Sequence, residues 1–123
     1  MQQAINALVE AKNYNGPSIV IAYAPCIAQG ILKGMSNSID EEKKATMSGY
    51  FPIFRYNPTE DKFSLDSKAD FEKYKEFLGG ENRYRTLART NPEGFEKLLD
   101  ENMNDAKKRY EYYEKLNQIS KEK

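Results

Sequence analysis

"SIVIAYA", residues 18–24, is the stretch on which the fold turns. Its seven residues carry no charge and no polar alternation, and they are rich in β-branched side chains. That texture belongs to a strand covered on both faces, as in the middle of a parallel sheet. Upstream, Ala4, Ile5, Leu8, Val9 and Ala11 fall on one side of an amphipathic helix that ends at "NYNGP", where Asn15, Gly16 and Pro17 break it. Helix, Gly-Pro turn and buried strand make an α/β grammar. A second strand is expected around "YFPIFRY", residues 50–56. Between the two strands, "SNSIDEEKKATMSGY" predicts a helix with Ser38 as N-cap, Glu41 completing a capping box and Gly49 as the stop. Two strands make a thin sheet, so residues 1–56 imply a missing partner.

From Asn57 onward the texture is polar and helical. Ser67 with Asp70 is expected to cap a short helix holding Phe71, Tyr74, Phe77 and Leu78, and "ENRYRTLART" predicts another. Asn91-Pro92 then opens a long helix whose stripe runs through Phe95, Leu98, Leu99, Met103, Ala106, Tyr110, Tyr113 and Leu116 or Asn117. The 123 residues fit a single domain, 1–123, with an α/β portion over 1–56 and a mostly helical extension over 57–123.

Nineteen acidic residues balance nineteen basic ones, so no net field favours nucleic acid or an anionic membrane. A nucleic-acid reading would need a continuous basic face built from Arg83, Arg85, Arg89, Lys107, Lys108 and Arg109, and the neutral total disfavours it. The tyrosines of "RYEYYEKL" and "GYFPIFRYNP" fit packing better than base stacking. The longest apolar run, Ile19 to Ala24, is too short to cross a bilayer. One cysteine and no leader sequence point to a reducing, cytoplasmic setting.

Histidine is absent, which removes the commonest general base and a usual zinc ligand. "GILKGM" lacks the order of a phosphate loop, and acidic runs such as "DEEKK" read as solvated helix faces. Cys26 follows the expected strand across Pro25, at the carboxyl edge where open α/β sheets place ligands. A lone cysteine is otherwise most often a small buried hydrophobe. As a nucleophile it would need Lys33, an arginine or a helix N-terminus to lower its pKa, and no residue pattern supplies one. No catalytic residue is assigned. Gln29, Lys33, Asn37 and Arg55 read as surface or turn residues.

Taken in order, "YNGPSIVIAYAPCIAQGI", "SGYFPIFRYNP", "FSLDSK", "FLGGENRYRTLARTNPE" and "DAKKRYEYYEKL" resemble the carboxyl-terminal part of the pyruvate:ferredoxin (or flavodoxin) oxidoreductases. The resemblance implies a partial thiamine-diphosphate-binding-type fold with a short parallel sheet, flanking helices and a long C-terminal helix. Complete enzymes of this family oxidatively decarboxylate pyruvate with coenzyme A. They use magnesium, thiamine diphosphate and 4Fe-4S clusters, and they pass electrons to ferredoxin or flavodoxin. By resemblance, Cys26 is the last of four thiolate ligands to the cluster nearest thiamine, and so a cofactor and metal ligand. The family usually has histidine where this chain has Gln29.

The Gly-Asp-Gly and asparagine motif that binds magnesium and pyrophosphate is absent, as are the other cluster cysteines. The first helix, starting almost at Met1 without capping residues, reads as a cut. These features lead to the expectation of a piece of such an enzyme, inactive and without cofactor alone. Its partners would be the remainder of the oxidoreductase or a second copy. The competing expectation is a non-catalytic scaffold or protein-interaction domain. An exposed Cys26 at a sheet edge beside an open groove would favour the first, and a packed thiol the second.

Overall fold

The computed structural model describes residues 2–122. Five helices and one small sheet follow in the order α1 (Gln2–Asn13), α2 (Ser38–Met47), β1 (Phe54–Asn57), β2 (Lys62–Leu65), α3 (Tyr74–Gly80), α4 (Asn82–Thr90) and α5 (Pro92–Glu122). Single 3₁₀ turns at Met35–Asn37 and Phe71–Lys73 lead into α2 and α3.

The short parallel sheet expected from residues 18–24 and 50–56 is not formed. Among the described residues the sheet is a two-stranded antiparallel hairpin, in which Phe54 faces Leu65, Arg55 faces Ser64, Tyr56 faces Phe63 and Asn57 faces Lys62. Ser18–Ala24 has no regular secondary structure, belongs to neither strand and is exposed apart from half-buried Tyr23, with Ile19 86% and Ile21 75% accessible. The physical reason is that β-branched residues favour the extended backbone, while a strand also needs a neighbour to take its N–H and C=O groups. This chain places none there.

The hairpin obeys a simple alternation. Phe54, Phe63 and Tyr113 stack together on one face, with ring centroids 4.7–6.0 Å apart, while Arg55 on the other face bonds Asp66 and Glu10. The outer edge of β2 is finished by a helix instead of a third strand. Ser120 Oγ accepts from the Phe63 N–H at 2.9 Å, and Asn117 Oδ1 accepts from the Leu65 N–H at 3.2 Å. Two side chains three residues apart on α5 thus meet alternate amides of the strand. The helix runs for 31 residues, about 46 Å at 1.5 Å per residue.

The core sits where α2, α3 and α5 meet, in Ala45, Tyr74, Phe77, Leu78, Leu99 and Ala106, with Tyr23, Tyr50, Phe51, Phe71, Tyr84, Phe95 and Met103 packed around it. The alanines at 45 and 106 are 0% and 1% exposed, so they let the helices approach closely. Two expected caps differ in detail. Asp70 does cap, accepting from the Glu72 N–H at 3.2 Å, but Ser67 turns to the Ile53 N–H instead. Ser38 is the first residue of α2 and not its cap, because the 3₁₀ turn before it has already started the helical path.

The first helix is unlike the others. No residue of α1 is buried, and Ile5, Leu8 and Val9 are about half exposed. It is held to the hairpin by the Glu10–Arg55 ion pair at 2.6 Å.

Candidate functional site

The Cys26 thiol is exposed. It does not stand at a sheet edge, since no strand forms ahead of it. Cys26 instead opens a tight turn closed by the Gly30 N–H donating to its carbonyl at 2.7 Å, with Gly30 in the left-handed region at φ +71°. Glycine adopts that conformation without steric cost.

Two anchors hold this turn. On its amino side Tyr23 dips inward, packing at 5.5 Å from Phe51 and 5.9 Å from Tyr50, and its hydroxyl donates to Glu81 Oε1 at 3.0 Å. On its carboxyl side Ile31 is buried and bridges Glu81, with Leu32 N–H to Gly80 C=O at 2.8 Å. Asn82 secures the middle, its Nδ2 donating to the Gln29 carbonyl at 3.1 Å. Between the anchors, Ala24, Cys26, Ile27, Ala28 and Gln29 face outward.

Beneath the turn lies a polar network that the sequence reading missed. Glu81 is 3% exposed and lies 3.4 Å from Arg83 Nε through its second oxygen. Arg83 donates to the Tyr50 hydroxyl at 3.0 Å and lies over the Tyr84 ring, and the Tyr50 and Tyr84 hydroxyls are 2.9 Å apart. A buried carboxylate is costly unless paired and hydrogen-bonded, and here a phenol and a guanidinium supply both. The available clue was Tyr23, the one hydroxyl in the apolar run Ile19 to Ala24, followed much later by an acid directly after Gly79-Gly80.

This burial has a pH signature. Desolvation, then the hydrogen bond and charge of Glu81, push Tyr23 far above the usual phenol range. Burial and the bond to Tyr50 do the same to Tyr84, and burial pushes Tyr74 up to about 12. A phenol whose folded pKa lies above its unfolded value of about 10 stabilises the fold fully below pH 10. That contribution is lost as pH rises through the folded value. Near-ultraviolet titration of tyrosinate should therefore show Tyr23, Tyr74 and Tyr84 ionising late, together with unfolding. Ionisation of all nine tyrosines in one step near pH 10, with the fold intact, would contradict the network.

The other candidate residues scatter. Arg55 serves the hairpin, pairing with Asp66 and Glu10. Lys33 and Asn37 line a shallow hollow of about 300 Å³ with Asp40, Glu41, Lys43, Lys44 and Met47, away from the thiol. Arg83 turns in to Tyr50, and Arg109 donates to the Tyr50 carbonyl, so these two residues of the basic set are engaged with the core. The donor set does not fit a cluster or a magnesium-bound cofactor on its own. Cys26 is the sole thiol, and among the described residues no three or more Cys, Asp or Glu stand close enough to hold a metal ion. No helix among them is long and apolar enough to cross a membrane.

No family model matches the chain. It is, however, 45% identical over 119 residues to the pyruvate:ferredoxin oxidoreductase of Moorella thermoacetica and 40% identical over 119 residues to the pyruvate-flavodoxin oxidoreductase of Enterobacter agglomerans. Each match takes in 93% of this chain and 10% of the relative. The chain is homologous to a short segment of these oxidoreductases. It spans about a tenth of the length of the curated relatives it matches. The kinship reaches further, to the beta subunit of sulfite reductase [NADPH] of Saccharomyces cerevisiae, 38% identical over 97 residues, or 73% of this chain and 7% of that protein.

Proposed function

We propose that this chain serves as one structural segment of a pyruvate:ferredoxin or pyruvate-flavodoxin type oxidoreductase. In this role it completes an enzyme that oxidatively decarboxylates pyruvate with coenzyme A and hands electrons to ferredoxin or flavodoxin. The observation that carries this reading is the match of 93% of the chain to proteins of that name. Thiamine diphosphate, magnesium and the iron–sulfur clusters would be held chiefly by other parts of the enzyme, because this chain's own donors do not suffice. Pyruvate recognition would also lie elsewhere, since the same segment is shared with a sulfite reductase subunit.

Within that assembly Cys26 is proposed to give one thiolate to a 4Fe-4S cluster whose remaining ligands come from other segments. Its exposure, and the turn fixed between Tyr23 and Ile31, suit a ligand presented outward on a stiff support. No catalytic residue is assigned to the chain, and cytoplasmic residence remains part of the same proposal.

The test uses a hybrid in which this chain replaces its matching segment in the Moorella thermoacetica enzyme, followed by iron and sulfide analysis. Cys26→Ala is expected to lose the iron of one cluster while the hybrid elutes as the parent does. Unchanged iron in the alanine variant would refute the ligand role. The competing reading is a non-catalytic interaction domain. It predicts unchanged iron.

A further inference from the structure

Three consecutive residues at the junction of α3 and α4, Gly80, Glu81 and Asn82, each reach across to the turn that Cys26 opens. The Gly80 carbonyl accepts from the Leu32 N–H at 2.8 Å. Glu81 is the one extended residue between the two helices, so its backbone meets Ile31 while its side chain accepts the Tyr23 hydroxyl at 3.0 Å. One residue thus grips both ends of the turn. Asn82 grips the middle twice, its N–H donating to the Gly30 carbonyl at 3.3 Å and its Nδ2 to the Gln29 carbonyl at 3.1 Å. The grip is itself backed, because Glu81 and Ile31 are buried and Arg83 stands behind the carboxylate while donating to Tyr50 in the core. Ile27, Ala28 and Gln29 are by contrast exposed, with Ile27 84% accessible, so burial of the turn's own side chains does not fix it.

We propose that Glu81 and Asn82 are positioning residues for the Cys26 thiol, fixing from more than fifty residues away the direction in which the turn presents it. The inference rests on the functional reading above, in which that thiol is a ligand, and adds to it the residues on which the ligand's geometry depends. Residues that orient a ligand without touching the metal tune the site nearly as strongly as the ligands do. The two residues differ in what else they hold. Asn82 is half-buried and its side-chain amide goes to the turn, so Asn82→Ala removes one support and leaves the core intact. Glu81 also pairs with Arg83, and Glu81→Ala would leave that partly buried guanidinium without its carboxylate. Glu81→Gln keeps an oxygen to accept the Tyr23 hydroxyl, and Tyr23→Phe removes the donor instead.

Cys26 is the sole thiol, so a nitroxide label attached to it in the free chain reports the motion of this turn alone. The electron paramagnetic resonance lines are expected to sharpen in Asn82→Ala and in Tyr23→Phe, and to keep the wild-type shape in Glu81→Gln, with circular dichroism showing each variant folded. In the Moorella hybrid, without the label, Asn82→Ala is expected to shift the reduction potential of one cluster while the iron content stays that of the unsubstituted hybrid. Wild-type line shapes in both Asn82→Ala and Tyr23→Phe would overturn the positioning role, as would an unchanged potential in the Asn82→Ala hybrid. Either result, with iron still lost in Cys26→Ala, leaves the functional reading intact. Unchanged iron in Cys26→Ala would overturn that reading and the positioning role with it, whatever the line shapes.

Discussion

Phe77→Ala is expected to lower stability by about 3–5 kcal/mol, the usual cost of removing a buried phenylalanine ring. Phe77 is 1% exposed at the meeting of α2, α3 and α5, and its ring lies 4.8 Å from Tyr50. Tyr50 carries the hydroxyl that ties Arg83 to Tyr84, so the void would open beneath the polar network as well as within the core. Single domains are stable by about 5–15 kcal/mol, and this loss is a large share of that. Urea unfolding should show the midpoint falling with little change in slope. A fall of less than about 1 kcal/mol would mean that the core is not organised around this ring.

Gly49→Ala should cost about 2–4 kcal/mol from two separable causes. Gly49 ends the turn after α2 at φ +79°, where any side chain is strained. An added Cβ would also stand 2.8 Å from both the Ala69 Cβ and the Phe71 Cζ. Gly34 provides the comparison, because it has φ +85° with nothing within 4 Å of an added Cβ. Gly34→Ala should cost backbone strain alone, about 1–3 kcal/mol, because its ψ of 156° puts it in a region open essentially to glycine. A loss at Gly49 of no more than about 1–2 kcal/mol, the backbone strain alone, would show that packing around it contributes nothing.

The elements legible in the sequence are those whose signals are local. The stripe of α5 and the α4 segment lie within a few residues of their own causes, and each formed as expected. The hairpin was harder. "KFSL" is only four residues long, and it becomes a strand because Phe54 and Tyr113 cover Phe63 while Asn117 and Ser120, more than fifty residues away, take its amides. Tertiary context of this kind overrides short-range preference. "SIVIAYA" failed in the opposite direction. Its composition reports the burial it is suited to, while its conformation in this chain reports the absence of a neighbouring strand. Cys26 is expected at the carboxyl edge of a sheet that does not form, and the turn it opens is anchored instead by Tyr23 reaching Glu81 across 58 residues.

The most direct test of the chain's place in such an enzyme is pyruvate- and coenzyme A-dependent reduction of ferredoxin by the Moorella thermoacetica hybrid. Turnover within about tenfold of the parent is predicted. Complete loss of turnover in a hybrid that elutes as the parent does and keeps the parent's iron content would contradict it.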